Sequence, residues 1–143
     1  MPTPRENTGP APRLTFPRRL RLQHAREFKA VRDAKLRKSS GPISLSLRPN
    51  GLDHPRLGLS ISRAVGGAVR RNALKRAIRE AFRLTWRSWP TADGASFDMV
   101  VSSRAHEPLT LDQYAEILGS LVASALREAG RRDGRRASDG AGG

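Results

Sequence analysis

Residues 69–86 predict one long helix with two chemically opposite faces. At about 100° per residue, mostly apolar side chains return to one arc of the helix and basic side chains occupy the opposite arc. The first arc is formed by Leu74, Ala77, Ile78, Ala81, Phe82 and Thr85, and the second by Lys75, Arg76, Arg79, Arg83 and Arg87. One face therefore packs against the rest of the protein, and the other is available to an anionic partner.

Positive charge is concentrated around this helix. Positions 56 to 87 hold nine basic residues and a single acid, Glu80, which leaves a net charge of +8 out of +14 for the whole chain. A solvated helix surface usually mixes both signs. The excess predicts a nucleic acid or an anionic membrane surface as partner, because counterion release favours contact between cations and phosphates.

The length of 143 residues, with 37% hydrophobic residues, fits one folded domain. The absence of cysteine excludes disulfides, thiolate zinc sites and a cysteine nucleophile. The proline-rich N-terminus lacks the apolar core of a signal peptide, and the longest uncharged apolar stretch, residues 117–126, is too short to span a bilayer. We therefore expect a cytoplasmic protein with one domain over 18–129, between a disordered basic leader (1–17) and a disordered tail (130–143).

Two further helices are predicted from apolar periodicity. One covers residues 24–35, with Phe28 on its apolar side and basic residues between. The other begins near Thr110, which forms a capping-box pattern with Gln113, and is expected to end at Gly130.

Three strands are predicted around the long helix. Strict alternation over 43–47 and 57–62 indicates two half-buried strands, which we expect to pair antiparallel across the turn at Asn50-Gly51. A nearly continuous apolar run over 97–101 indicates a more buried strand. The order of elements favours an α+β fold, a small sandwich of helices on a mixed sheet.

The outward face of the first two strands carries only small residues, which leaves room for a ligand to lie along the sheet. These residues are Ser44, Ser46, Gly58, Ser60 and Ser62.

Residues for catalysis are not grouped in any known pattern. His24, His54 and His106 are dispersed, and none lies in an H-E-x-x-H or G-x-S-x-G setting. The Gly66-Gly67 pair lacks the spacing of a phosphate-binding loop. If the protein takes part in catalysis, we expect the reactive groups to belong to a partner.

The sequence of residues 56–83 is R-L-G-L-S-I-S-R-A-V-G-G-A-V-R-R-N-A-L-K-R-A-I-R-E-A-F-R. It closely resembles the signature of the bacterial ribonuclease P protein subunit, which is G-x-x-V-S-K-K-x-G-x-A-V-x-R-N-R-x-K-R-x-x-R-E-x-F-R. The corresponding positions are Gly58, Ile61, Ser62, Gly66, Ala68, Val69, Arg71, Asn72, Lys75, Arg76, Arg79, Glu80, Phe82 and Arg83. Upstream, Arg21-Leu22, Glu27-Phe28 and Val31 resemble the first helix of that family, so that the resemblance covers about residues 21–127.

The resemblance implies a fold and a function. The fold would be a small α/β sandwich with a left-handed β-α-β crossover, which is an exception to the usual right-handed rule. The protein would bind the catalytic RNA of ribonuclease P, and the complex would cut the 5′ leader from precursor tRNA, with Mg²⁺ held by the RNA and none by the protein. Neither a membrane nor an obligate protein partner is expected.

The resemblance also assigns two binding surfaces. Contacts with the catalytic RNA are expected from Arg63, Arg70, Arg71, Asn72, Lys75, Arg76, Arg79 and Arg83. A cleft for the single-stranded leader is expected at Phe28, Arg32, Ser44 and Ser46. The chain departs from the family at Ala64 and Ala73, where relatives have basic residues, and at Arg32 and Ser46, where relatives have aromatic residues.

Other functions share part of this pattern. A ribosomal protein or general RNA chaperone would have similar charge and size but no activity with precursor tRNA. A membrane or polyanion binder would need bulky apolar residues beside the cations. A nuclease active by itself would need a metal cluster or an acid–base pair.

Overall fold

The computed structural model describes residues 16–90 and 96–142, with side chains up to residue 132. The described part contains three α-helices, α1 (Ala25–Asp33), α2 (Ala68–Thr85) and α3 (Leu111–Gly142). It also contains four strands, β1 (Arg37–Ser40), β2 (Ile43–Pro49), β3 (Arg56–Ser60) and β4 (Phe97–Ser103). Most of the predicted leader lies outside the described residues.

The four strands form one mixed sheet in the order β1-β2-β4-β3. β1 pairs antiparallel with β2, β2 pairs antiparallel with β4, and β3 pairs parallel with β4. The predicted α+β class with a mixed sheet is confirmed. β3, α2 and β4 form a β-α-β unit, and its left-handed crossover stays a prediction from the resemblance.

The expected antiparallel pairing of β2 with β3 is wrong, because β4 lies between them. Met99 of β4 pairs with Leu47 of β2 on one side and with Leu57 of β3 on the other. Residues 97–101 are all buried, whereas the side chains of β2 alternate between buried and partly exposed. A strand whose side chains are buried on both faces is stabilised most in a central position, where it has a paired strand on each side.

The β1 strand is absent from the sequence prediction. The segment Ser39-Ser40-Gly41-Pro42 closes a hairpin in which Ser40 pairs with Ile43. Gly41, with a φ of +58°, supplies the positive φ that the first position of a two-residue turn requires, and Pro42 fits the second.

Apolar side chains form two clusters, one on each face of the sheet. The larger cluster lies between the sheet and helices α2 and α3, and Phe82 at its centre is fully buried. Phe16 packs edge-on against Phe82 with ring centroids 5.4 Å apart. The smaller cluster holds α1 on the opposite face and consists of Leu22, Val31 and Val100, with Phe28 packed against it.

Helix α3 does not end at Gly130, as the sequence pattern predicts, but continues to Gly142. A glycine inside a helix costs about 1 kcal/mol relative to alanine, and interactions around it can offset that cost. Glu128 is 2.6 Å from Arg131 and 3.5 Å from Arg132, so that ion pairs one turn long span Gly130. No helix in the described part of the chain is both long and apolar enough to cross a membrane.

Candidate nucleic-acid interface

The apolar face of α2 fixes the orientation of its basic face. Leu74, Ile78, Ala81 and Phe82 are buried against the sheet and α3. The other side of the helix leaves Asn72, Arg76 and Arg79 exposed and Lys75 partly exposed. The structure therefore presents these four predicted RNA-binding residues on one surface, which we call the α2 basic face.

Two of the other predicted RNA-binding arginines are engaged within the protein. Arg83 donates from Nε and Nη2 to the two carboxylate oxygens of Glu80, at 2.9 and 2.7 Å. The hydrogen bonds between the two side chains raise the pKa of Arg83 and lower the pKa of Glu80. Arg70 lies 3.6 Å from Glu107. Part of the charge of both arginines is thus neutralised before any partner binds.

Crowding of cations marks the edge where α2 meets the N-terminal segment. Although the Arg79 side chain is exposed overall, desolvation of its guanidinium by neighbouring groups, and after it the charge of Arg21, lowers its pKa. Arg71 is partly buried, and its Nε has no hydrogen-bond partner among the described residues. The neighbouring charges of Arg79 and Arg21 favour the binding of an anion at this edge, and the unpaired Nε of Arg71 offers a donor nearer the start of α2.

The turn before α2 brings Arg63 and Arg70 close to the start of the helix. Arg63 is exposed in a short 3-10 turn, Arg63–Val65. Gly66 has a φ of +145°, and a Cβ at that position would lie 2.8 Å from Cδ of Arg70. The glycine thus lets the stem of Arg70 pack on the backbone, which directs the side chain along this turn.

A buried ion network fixes α1 on the opposite face of the sheet. Arg56 donates from Nε and Nη2 to the two carboxylate oxygens of Asp98, both at 2.8 Å, and from Nη1 to Glu27 at 3.0 Å. Asp98 is fully buried and also accepts from Asn50 Nδ2 at 2.9 Å. Although Arg56 adds to the positive charge of this region, its guanidinium joins β3 and β4 to α1.

Glu27 connects this network to the start of α1. Its Oε1 accepts from the backbone amides of Gln23 and His24, at 2.7 and 2.9 Å, as the acidic member of a capping box. Partial burial raises the pKa of Glu27, but these hydrogen bonds and the charge of Arg56 outweigh that effect and lower it overall. One carboxylate therefore both caps α1 and fixes it to the sheet.

The Phe28 side chain of α1 lies over the sheet row that contains Ser46. Val100 pairs with Ser46 on one side and with Gly58 on the other. The Phe28 ring rests on Gly58, where a Cβ would lie 2.6 Å from its Cε2. The sequence analysis predicts that this face of the sheet is open. At Gly58, however, Phe28 of α1 covers it.

The next row of the sheet consists of serines from all four strands. Ser39 pairs with Ser44, Ser44 pairs with Ser102, and Ser102 pairs with Ser60. Ser39 Oγ and Ser44 Oγ lie 2.8 Å apart. A shallow groove of about 370 Å³ lies over three of these serines and is lined by Arg37, Ser39, Ser44, Ser102, Ser103 and Arg104.

The groove lies over the row next to the one that Phe28 of α1 contacts, in the region where the leader cleft is predicted. Phe28 and Arg32 are one helical turn apart and therefore share a side of α1, with Arg32 exposed. Ser44 lies in the serine row, whereas Ser46 lies in the neighbouring row below α1. The sequence prediction omits Arg37, Ser39, Ser102 and Arg104. The Gly-Pro pair at 41–42 was the signal that could have found them, because it indicates a hairpin that adds a strand to this face.

Among the described residues, no group of three His, Asp or Glu side chains is placed to hold a metal ion.

The fold and its two surfaces define a small α+β protein with a basic crossover helix on one face of the sheet and a polar cleft on the other. The same fold occurs in the solved ribonuclease P protein from Thermotoga maritima, with a TM-score of 0.59, 33% identity and coverage of 71% of this chain and 94% of that one. A ribonuclease P protein from Staphylococcus aureus gives a TM-score of 0.60 with 28% identity, covering 74% of this chain and 94% of that one.

The chain belongs to the Ribonuclease P family, whose model matches residues 16–127. It is 38% identical to the ribonuclease P protein component of Pseudomonas aeruginosa over 132 residues, which cover 87% of this chain and 94% of that protein. It is 48% identical to the component from Azotobacter vinelandii over 91 residues, which cover 62% of this chain and 66% of that protein. The resemblance inferred from residues 56–83 is confirmed.

Proposed function

We propose that this chain is the protein subunit of a ribonuclease P ribonucleoprotein in the cytoplasm. It binds the catalytic RNA through α2 and the 5′ leader of precursor tRNA through the cleft beside α1, and thereby aids endonucleolytic removal of the leader. The observation that carries the proposal is the α2 basic face, a row of exposed cations on a helix whose other side is buried in the core of a ribonuclease P family fold.

The α2 basic face suits the backbone of a folded RNA. Lys75, Arg76 and Arg79 can each meet a phosphate, and the Asn72 amide can both donate to and accept from a backbone or a base edge. Arg71 and Arg63 extend the cationic surface toward the start of the helix. The missing charges at Ala64 and Ala73 reduce it relative to the family pattern, and Arg70 offsets part of the reduction at Ala73.

The cleft suits a single strand without a fixed sequence. Phe28 offers a partly exposed aromatic ring, the serine row offers hydroxyl groups, and Arg32, Arg37 and Arg104 offer cations for the phosphates. Ser46 and Arg32 replace aromatic residues of the family pattern. We therefore expect electrostatic attraction to contribute more to leader binding in this protein than stacking does.

The chemical step belongs to the RNA partner. We propose that the Mg²⁺ required for hydrolysis of the phosphodiester is bound by the RNA. The protein contributes by lowering electrostatic repulsion between the two RNAs and by holding the leader.

Cleavage of precursor tRNA by a bacterial ribonuclease P RNA, with and without this protein, tests the proposal. Low Mg²⁺ is the informative condition, because added protein cations matter most where metal ions are scarce. We expect stimulation with a correct 5′ end. A folded protein that binds RNA without stimulating cleavage, also with the RNA from its own source, would contradict the proposal and favour a ribosomal protein or RNA chaperone.

A further inference from the structure

The last described side chain, Arg132, reaches back across the fold to the end of α1. Its Nη1 donates to the backbone oxygen of Ala34 at 3.1 Å, and its Nη2 donates to that of Lys35 at 2.8 Å. These two oxygens follow directly after α1, which ends at Asp33. A cation at this position satisfies free carbonyl groups and the negative end of the helix dipole together.

The turn that Arg132 contacts is a strained one. Lys35 has a φ of +55°, the only positive value at a non-glycine residue among the described residues. Such a conformation is unfavourable for a side chain with a Cβ and persists only where the surroundings hold it. This turn connects α1 directly to β1, and β1 carries Arg37 and Ser39 of the groove.

Glu128 forms ion pairs both with Arg132 and with Lys38 of β1. It lies 3.5 Å from Arg132 Nε, and its other oxygen lies 3.8 Å from Lys38 Nζ on β1. α3 is therefore connected both to the turn and to the strand that follows it.

Between its ends, α1 is held by apolar contacts of Val31 and Phe28 with the sheet. It spans nine residues, and Val31 is its one fully buried side chain. The Arg56–Glu27 pair fixes its first turn, and the contacts of Arg132 lie just beyond its last turn. Helix α1, which borders the cleft, is thus fixed at its start by Arg56 and at its end by Arg132.

We propose that Arg132 is a positioning residue for the leader cleft. By holding the carbonyl groups after α1, it sets Phe28 and Arg32 of α1 at a fixed place relative to Ser39 and Ser44 of the hairpin. Arg132 itself need not touch the leader. That the cleft binds the leader rests on the proposed function. That Arg132 holds the end of α1 rests on its hydrogen bonds alone.

Arg131 provides a matched control for a test by substitution. It carries the same charge and pairs with the same carboxylate, Glu128, at 2.6 Å, but only Arg132 donates to the α1–β1 turn. Arg132→Gln and Arg131→Gln therefore remove equal charge and differ in the contact with the turn. Arg132→Lys keeps the charge but not the fork that reaches two oxygens.

Hydrogen exchange of the protein alone measures the structural effect. We expect the amides of residues 34–37 to exchange about fivefold faster or more in Arg132→Gln, and to be unchanged in Arg131→Gln. Equal exchange in the two variants would overturn the inference at this step.

Binding of precursor tRNA to the assembled ribonucleoprotein measures the functional effect. The readout is the ratio of the Kd for leaderless tRNA to the Kd for precursor tRNA. We expect Arg132→Gln to lower this ratio about fivefold, Arg131→Gln to leave it unchanged, and Arg132→Lys to lie between them. Equal decreases in the two Gln variants would show an effect of charge and overturn the inference. Absence of any leader preference in the unaltered protein would contradict the proposed function, and hydrogen exchange would still decide whether Arg132 holds the turn.

Discussion

Phe28 and Gly58 are in such close contact that position 58 has no room for a side chain. A Cβ at Gly58 would lie 2.6 Å from Cε2 and 2.7 Å from Cζ of the Phe28 ring, and 3.0 Å from Cδ1 of Leu22. The aromatic ring therefore rests directly on the backbone of β3. This contact sets how near α1 lies to the sheet, and hence how wide the cleft beside it is.

Gly58→Ala is expected to displace Phe28 and to destabilise the fold by about 1–3 kcal/mol, the usual cost of overpacking. Affinity for the leader should fall with it, while affinity for the catalytic RNA should not change. Chemical denaturation and binding assays measure these effects. The control is Gly119→Ala, where a Cβ would meet Trp89 Nε1 at an ordinary 3.6 Å. Equal stability of the two variants would show that the Phe28 contact is not restrictive.

Replacing Arg71, Lys75 and Arg76 together by alanine should weaken binding to the catalytic RNA and reduce the slope of log K against log salt. Removal of one cation from a phosphate reduces the magnitude of that slope by about 0.7–0.9, so that the triple variant should show a slope smaller by about 2 to 3. Titrations at several salt concentrations measure the slope. An unchanged slope in a folded variant would exclude α2 as the docking face.

Glu80→Gln is expected to have the opposite effect on RNA binding. The substitution removes the carboxylate that accepts two hydrogen bonds from Arg83, and thereby releases a full positive charge on the α2 side. RNA affinity at low salt should rise severalfold, with a steeper salt dependence. In the Arg83→Ala background the same substitution should have little effect. A decrease in affinity on Glu80→Gln would show that the pair itself is needed for docking.

Acid should weaken the attachment of α1 through Glu27. The folded pKa of this carboxyl lies below its ordinary value of 4.5, so that its contribution to stability is complete above about pH 4.5 and is lost as the pH falls through the folded pKa. The difference in unfolding free energy between the unaltered protein and Glu27→Gln should therefore shrink below about pH 4.5. Urea denaturation from pH 7 to pH 3 measures it. A difference that stays constant with pH would exclude Glu27 as the source.

Gly130→Ala should stabilise the protein by up to about 1 kcal/mol and increase its helical circular dichroism. Nothing lies within 4 Å of a Cβ at this position, and helix α3 continues on both sides of it. Alanine therefore gains helix propensity without a clash. If helix α3 ended at Gly130 instead, the substitution would leave the stability unchanged or lower it.

The sequence predicted those parts of the structure that depend on local patterns. The three helices and the strands at β2, β3 and β4 follow from apolar periodicity, and the residues of the α2 basic face follow from charge on one helix. The order of strands did not, because pairing of β2 with β4 depends on burial of residues 97–101 on both faces rather than on the Asn50-Gly51 turn. β1 was missed because Arg37–Ser40 lacks apolar residues and contributes only polar side chains to the sheet.

The cleft was predictable only in part for the same reason. Phe28 and Ser44 were identified from the family pattern, but the serine row requires the register of four strands. The end of α3 also depends on distant contacts, since Arg132 meets carbonyl groups 97 and 98 residues earlier in the chain. Contacts of this kind leave no periodic trace in the sequence around Gly130.

The central place of β4 determines when the protein can fold. β4 is the last strand to be synthesised, yet it is the strand that joins β2 to β3 in the sheet. Leu47 of β2 and Leu57 of β3 can therefore take their places in the sheet only after Met99 of β4 has been made. Closing the long loop between these strands must precede the gain from burying them, which makes folding slow relative to a fold of local hairpins. Until residue 103 is available, two apolar strands have open edges that can pair with another chain. The basic helix α2 is complete before that point, so the nascent chain carries its positive charge before the four-stranded sheet can form.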